Sequence, residues 1–244
     1  MWCVIIPTYN NAGTIRQVVD DVRRHTPHVI VVNDGSTDAT ARILAGIPGL
    51  SIVEYGRNRG QGYALKAGFR RALQEGYEAA VTIDADGQHF ADDIPALVAA
   101  YGRRPGSLVT GSRNLTAQGM PGRNTFANRF SNFWFRLQTG IPLPDTQTGF
   151  RLYPLRRMGQ MRWLTSRYEA ELEMLVHAAW KGIPLVPVPV RVYYPPADRR
   201  VSHFRPVADF ARISLLNTLL CALAVIYGWP RILHRRLWKV AGNH

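Results

Sequence analysis

The chain has 244 residues, 46% hydrophobic and 19% charged, a globular composition that excludes a disordered or collagen-like polypeptide. Its two cysteines, Cys3 and Cys221, lie far apart in apolar runs, which excludes a disulfide framework and suits small buried hydrophobes in a reducing compartment. The net charge of +13 is uneven: residues 1–150 carry 15 Lys and Arg against 12 Asp and Glu, residues 151–244 carry 15 against 5, and basic sequence beside apolar sequence suits an anionic surface of lipid headgroups, phosphorylated lipids or nucleic acid.

Val4-Ile5-Ile6, closed by Pro7, reads as a buried strand, and the same start lacks the basic segment of a secretory leader. A helix opened by Thr14 follows, with Ile15, Val18, Val19 and Val22 on one face. Residues 29–32 form a second buried strand that stops at the turn residues Asn33-Asp34-Gly35-Ser36. Ser36 or Thr37 is placed to cap a helix running through Ala45. Residues 51–55 read as a third strand, 60–76 as a helix, and 79–83 as a fourth strand ending at Asp84. Short apolar strands alternating with helices predict an α/β fold with a mostly parallel sheet covered on both faces. Ligands of such sheets bind beyond the carboxyl ends of the strands. The polar residues 8–11, 33–38 and 84–89 all fall there.

In the second half, 108–110 reads as a strand, and 124–138 as a helix with Phe126, Phe130, Phe133, Trp134 and Leu137. Residues 168–181 read as an amphipathic helix whose Glu169, Glu171 and Glu173 alternate, so at least one should decorate the surface. Residues 183–194 alternate at period two, and their prolines predict an edge strand or an irregular segment. Residues 213–229 are apolar except for Asn217, Thr218 and Gly228, at the lower length limit for crossing a bilayer. With Arg212 before them and Arg231, Arg235, Arg236 and Lys239 after, an interfacial helix or a membrane anchor fits best. The alternative is a core helix, or one that pairs two copies of the chain into a homo-oligomer.

The strongest chemical signal is Asp84-Ala85-Asp86-Gly87-Gln88-His89 directly after an apolar strand. Two carboxylates two residues apart on a loop suit one hard divalent cation, Mg2+ or Mn2+. Such an ion neutralises a leaving diphosphate. The bland alternative is a polar turn that caps the next helix through Asp92 or Asp93. The glycine-rich stretch 57–68, with Lys66, is neither a P-loop nor a dinucleotide fingerprint. A phosphate at a helix N-terminus and tight helix packing explain its glycines about equally well.

Four segments, Ile5-Ile6-Pro7-Thr8-Tyr9-Asn10-Asn11, Val31-Val32-Asn33-Asp34-Gly35-Ser36-Thr37-Asp38, Arg57-Asn58-Arg59-Gly60 and Asp84-Ala85-Asp86-Gly87-Gln88-His89, occur in the order seen in family 2 glycosyltransferases. Within that family the chain resembles the branch of dolichol-phosphate mannosyltransferase and bacterial polyprenyl-phosphate sugar transferases. Gly111-Ser112-Arg113, residues 145–151, 168–174 and Ser202-His203-Phe204-Arg205-Pro206 support this, so the resemblance covers roughly residues 3–215. It implies a GT-A fold, a Rossmann-like nucleotide-binding sheet, over residues 1–205, followed by a basic, apolar helical tail over 206–244.

The resemblance further implies that Pro7, Thr8, Tyr9 and Asn11 border the nucleotide and that Asp34 hydrogen-bonds its base. Asp84 and Asp86 would bind the metal, with Gln88 as a third ligand. Arg113 and Arg123 would face the acceptor phosphate or the sugar, and Arg205 and His203 would steady the donor diphosphate. Three positions depart from the family's usual residues: Asn11 where Glu is common, Asn33 where Asp is common, and His203 where the mannosyltransferase branch often has Lys.

The expected reaction is an inverting transfer of sugar from a nucleoside-diphosphate sugar. The acceptor is a polyprenyl phosphate, or else a hydroxyl on a glycolipid or saccharide of the cell envelope, at the cytoplasmic face of the membrane. A hydroxyl acceptor needs a general base, for which Asp145, Glu169 and Glu171 are candidates. Nucleic acid is not expected as a partner, because the aromatics at 126–134 read as a helix face and a nucleic-acid module leaves Asp84 and Asp86 unexplained.

Overall fold

The computed structural model describes residues 1–114, 122–159, 161, 163–194 and 206–241. Along β1 (Trp2–Thr8), Val4 and Ile6 belong to one hydrophobic cluster and Cys3 and Ile5 to another, all four fully buried. A strand buried on both faces belongs in the middle of a parallel sheet. β1 pairs in parallel with β2 (Val29–Asn33) and β4 (Ala79–Thr82), and β2 with β3 (Ser51–Glu54). Beyond β4 comes β6 (Arg151–Pro154), antiparallel to β4 and to β5 (Leu108–Arg113), and β7 (Leu185–Val190) runs parallel to β5 at the edge. The seven strands lie in the order β3-β2-β1-β4-β6-β5-β7. Pro187 and Pro189 of β7 sit on that edge strand, where a missing N–H is tolerated. β6 was not expected: it has only four residues, and it begins with a buried arginine.

Helices α1 (Ile15–Arg23), α2 (Thr40–Ala45) and α4 (Ile94–Arg103) cover the face of Val4 and Ile6. The other face carries α3 (Gln61–Gln74), α6 (Leu155–Met158) and α7 (Glu169–Trp180), with α5 (Gly122–Thr139) and α8 (Pro206–Leu223) in the same core. Neither Ser36 nor Thr37 caps α2, which starts at Thr40 with Ala39 as its N-cap. Both instead hold the β1–α1 loop. Asn10, with φ of 55°, donates its N–H to Ser36 Oγ at 3.0 Å and accepts the Thr37 N–H on Oδ1 at 2.8 Å.

A π-helical turn, Ala224–Gly228, joins α8 to α9 (Trp229–Ala241). Leu216, Asn217, Leu220, Ala224 and Gly228 are buried at a four-residue rhythm, one stripe along the helix. A Cβ on Gly228 would lie 2.3 Å from Trp180 Nε1, which donates to Gln138 O at 2.9 Å. The turn thus seats the backbone against the Trp180 ring. The opposite side stays apolar and exposed, with Leu215 at 73%, Val225 at 64% and Ile226 at 74%. By length and composition, Ala211–Arg235 is one stretch apolar enough to cross a membrane.

Candidate active site

Asp84 stands just past the carboxyl end of β4. Thr82 donates its hydroxyl to Gly149 O at 2.6 Å, drawing the chain before β6 against this point. Gly149 is required there: a Cβ would lie 2.7 Å from Asp84 Oδ2. From α3, Gln61 donates Nε2–H to Asp84 Oδ1 at 3.0 Å and also favours the ionised form of Glu171 of α7. Gly60 and Gly62 make this meeting possible. Gly60 has φ of +97°, and a Cβ on Gly62 would lie 2.3 Å from Ala170 Cβ, so the starts of α3 and α7 touch backbone to backbone. Helix packing therefore accounts for the glycine-rich stretch, and Gln61 is the side chain it delivers to Asp84.

Thr14 Oγ1 donates to Ala85 O at 2.6 Å, Asp86 Oδ1 accepts the Gln88 N–H at 3.0 Å, and Gln88 O accepts the Tyr193 N–H at 2.8 Å. The aspartate loop is thus tied to α1 on one side and to the chain beyond β7 on the other. Burial, then the charges of Asp86 and Glu171, push the Asp84 carboxyl up to about 8. Burial raises Asp86 and Glu171 as well, the latter opposed by the Arg151 charge. Three crowded carboxylates that resist ionisation are the environment a hard divalent cation relieves. Among the described residues no three His, Cys, Asp or Glu side chains converge to hold a metal by themselves. Asp84 and Asp86 fit a cation whose remaining ligands would come from the bound substrate and water.

On the nucleotide side, Thr8 ends β1, almost fully buried, and Asn11 donates Nδ2–H to Thr8 Oγ1 at 3.2 Å and Tyr9 O at 3.1 Å. Pro7 lies within β1 opposite Val32. Asp34 departs from the base-binding role expected of it. It is 3% exposed, and its two oxygens accept the Arg59 N–H at 2.7 Å and the Gly60 N–H at 2.8 Å, bracing the turn at 57–60. Asn33, in place of the usual Asp, donates Nδ2–H to Glu54 Oε1 at 2.7 Å. An aspartate would set two carboxylates against each other there. Lys66 lies exposed over the Trp163 ring, 5.2 Å from its centroid, more than a turn along α3 from Gln61.

Arg113, at the end of β5, donates Nε–H to Asp145 Oδ2 at 2.6 Å and Nη2–H to Asp145 Oδ1 at 3.0 Å. Asp145 also accepts N–H groups from the Arg113 backbone, the Gln147 backbone and Asn128 Nδ2. Burial alone would raise this carboxyl, but the Arg113 hydrogen bonds and charge outweigh it and hold the group below the usual carboxylate range. An ionised carboxylate, 1% exposed and with five donors, is not a general base, which corrects the catalytic role expected of Asp145. It orients Arg113. The surface role expected for one of the three glutamates also fails. Glu173 accepts the Leu164 and Thr165 N–H groups, Glu169 is 7% exposed, and Glu171 faces Asp84. His89 packs on Phe150 with ring centroids 5.2 Å apart, and burial, then the Arg113 charge, push it down to about 4, so it is neutral. His203 and Arg205 lie outside the described residues, as does the side chain of Arg123.

Residues 3–157 match the glycosyl transferase family 2 description. The chain belongs to that family: it is a glycosyltransferase that uses nucleotide sugars, on a GT-A fold. It is 31% identical to the undecaprenyl-phosphate mannosyltransferase of Micrococcus luteus over 198 residues, covering 76% of this chain and 81% of the relative. It is 29% identical to the polyprenol monophosphomannose synthase of Mycolicibacterium smegmatis over 200 residues, covering 77% and 75%. Among solved structures, glucosyl-3-phosphoglycerate synthase from Mycobacterium tuberculosis, in complex with Mn2+, uridine-diphosphate and phosphoglyceric acid, superposes with a TM-score of 0.66 at 20% identity, over 92% of this chain and 78% of that one.

Proposed function

We propose that the protein moves a sugar from a nucleoside-diphosphate sugar to a polyprenyl phosphate at a membrane surface, with a divalent cation. The observation that carries the acceptor is the Arg113–Asp145 fork. The buried carboxylate is wholly taken up in aiming a guanidinium, so the site offers its acceptor a fixed cation. A phosphate monoester suits this, since its second pKa near ~6 leaves it largely dianionic at neutral pH and it needs no base. The two relatives named above act on polyprenyl-type phosphates, and the M. tuberculosis fold neighbour binds Mn2+. A Mg2+ or Mn2+ on Asp86 and Asp84, with Gln88 in the same loop, would neutralise the departing diphosphate. Gln61 holds Asp84 in place, and Arg113 orients the attacking phosphate oxygen toward the anomeric carbon.

A hydroxyl acceptor is the second reading, favoured by Glu171, a carboxylate with a raised pKa facing the site. The deciding assay supplies Mn2+, a panel of nucleotide sugars and short-chain polyprenyl phosphate, and follows nucleoside diphosphate release. Release that requires one donor and the lipid phosphate together is expected. Release indifferent to the lipid phosphate but driven by a glycolipid or saccharide overturns the phosphate acceptor.

The membrane face comes from α5, α8 and α9. Phe133 and Leu137 of α5 are 59% and 43% exposed, as are Leu215, Val225, Ile226 and Leu233 to a similar or greater degree. With its other stripe docked on Trp180 and Gln138, this helix lies along the domain, in the manner of an interfacial helix with Arg231 at the headgroup level, while Arg235 turns back to donate to Ala179 O at 3.3 Å. Leu215, Val225 and Ile226 together changed to Ser are expected to reduce co-flotation with anionic liposomes at least ~10-fold without loss of fold. Unchanged flotation would remove the membrane face from the proposal.

A further inference from the structure

Arg151 is a buried charge that the proposed reaction has not used. It opens β6 between Thr82 of β4 and Thr110 of β5, and is 0% exposed. Its guanidinium donates to three neutral oxygens: Glu171 O and Thr146 O, both at 2.9 Å, and Tyr153 Oη at 3.3 Å. Its Nε has no hydrogen-bond partner among the described residues. A fully buried guanidinium held only by neutral groups is costly unless counter-charge lies close by. Its place in the sheet sets it beside the aspartate loop: it pairs with Thr82, two residues before Asp84, and Gly149, two residues before it, packs on the Asp84 carboxylate, while the charges of Glu171 and Asp145 also act on it. Asp145 is already neutralised by the two-point pair with Arg113.

Around Asp84 this leaves three carboxylates, Asp84, Asp86 and Glu171, against one guanidinium, a formal charge of −2 among the described residues once all three are ionised, as a bound cation would make them. We propose that Arg151 is the fixed counter-charge of the metal centre: it cancels one carboxylate and so matches the site to a single divalent cation. Arg151 is a positioning residue in this scheme and touches neither donor nor acceptor. The inference rests on the metal reading above.

The test is Mn2+ binding to the full chain, followed by the loss of the free-ion EPR signal at a pH of about 8.5, where proton competition at the carboxylates is reduced. Circular dichroism and melting curves control for folding. Arg151→Lys keeps the charge and should bind within about twofold of the unaltered protein. Arg151→Gln leaves the site at −3 and should bind about tenfold more tightly, whereas Glu171→Gln leaves it at −1 and should bind about tenfold more weakly. The double variant Arg151→Gln with Glu171→Gln restores −2 and should return to the starting affinity. A role in hydrogen bonding alone predicts that Arg151→Gln weakens binding and that the double variant is worse still, and that result overturns the proposal. If Arg151→Gln does not fold, Glu171→Gln still decides, because unchanged affinity there breaks the charge account. An unaltered protein that binds no Mn2+, with or without a nucleoside diphosphate, would sink the metal reading itself. Binding that is equal in all variants would sink only the role of Arg151.

Discussion

Asp86→Ala is expected to lower sugar transfer by at least ~1000-fold in kcat/KM while leaving the fold in place. The two halves of this expectation have separate causes. Under the proposed function the activity loss follows from removing one of the two carboxylates that would hold the cation; Asp84 alone, held by Gln61 beside Gly149, would leave that cation a single protein anchor. The stability change is small because the fold alone does not favour Asp86 as an ion: burial raises its carboxyl, and its charge is among those that raise Asp84. Its removal loses the hydrogen bond to the Gln88 N–H, about 1 kcal/mol, and relieves a repulsion of comparable size. A melting temperature within a few degrees of the unaltered protein is therefore expected. Asp84 should move down toward the ordinary carboxylate range in this variant, although burial, its largest cause, remains. Turnover at the unaltered rate with EDTA present would show that the loop does not serve through a metal.

Much of this architecture is legible in short apolar runs, because a strand buried on both faces is hydrophobic along its whole length. That property reveals β1 to β4 and, with them, the line of polar strand ends on which Asp34 and Asp84 sit. It fails for β6, whose four residues start with Arg151, an amino acid that reads as surface until its partners are known. The site residues divide the same way. Asp84 and Asp86 announce themselves by adjacency. Gln61 does not: it stands between two glycines that draw attention to the backbone, and its task appears only when α7 arrives from more than 100 positions away with Glu171. Asp145 is the instructive case. An acid in a turn rich in glycine and proline has the look of a base, and what forbids that role is Arg113, 32 residues earlier, together with Asn128, 17 residues earlier. Sequence proximity carries no trace of such partners. The glycine-rich stretch shows a related limit, since φ of +97° at Gly60 and the contact of Gly62 with Ala170 are properties of packing that no motif spells out.

Asp145→Asn separates an orienting carboxylate from a catalytic one. The amide keeps the shape of the side chain but supplies an N–H where Arg113, Asn128 and Gln147 already point donors. One charge of a buried pair is left alone, and a destabilisation of about 3–5 kcal/mol is expected. In the variant that remains folded, Arg113 loses its two-point hold and its direction. The consequence should fall on the acceptor: its KM rises and kcat/KM falls by about 100-fold, while the KM for the sugar donor, held by the other half of the sheet, changes little. A general base would act differently, since its loss lowers kcat without regard to acceptor affinity. The pH profile adds a second discriminator. Asp145 is held below the usual carboxylate range, so it is ionised throughout the assay range and contributes no limb. The fall of activity on the acid side should instead follow the acceptor phosphate, near ~6, and stay in place when Asp145 is replaced. A limb that vanished with the substitution would return Asp145 to the chemistry. A limb that persisted, with the loss confined to acceptor KM, would establish that this buried acid serves the reaction only through the arginine it holds.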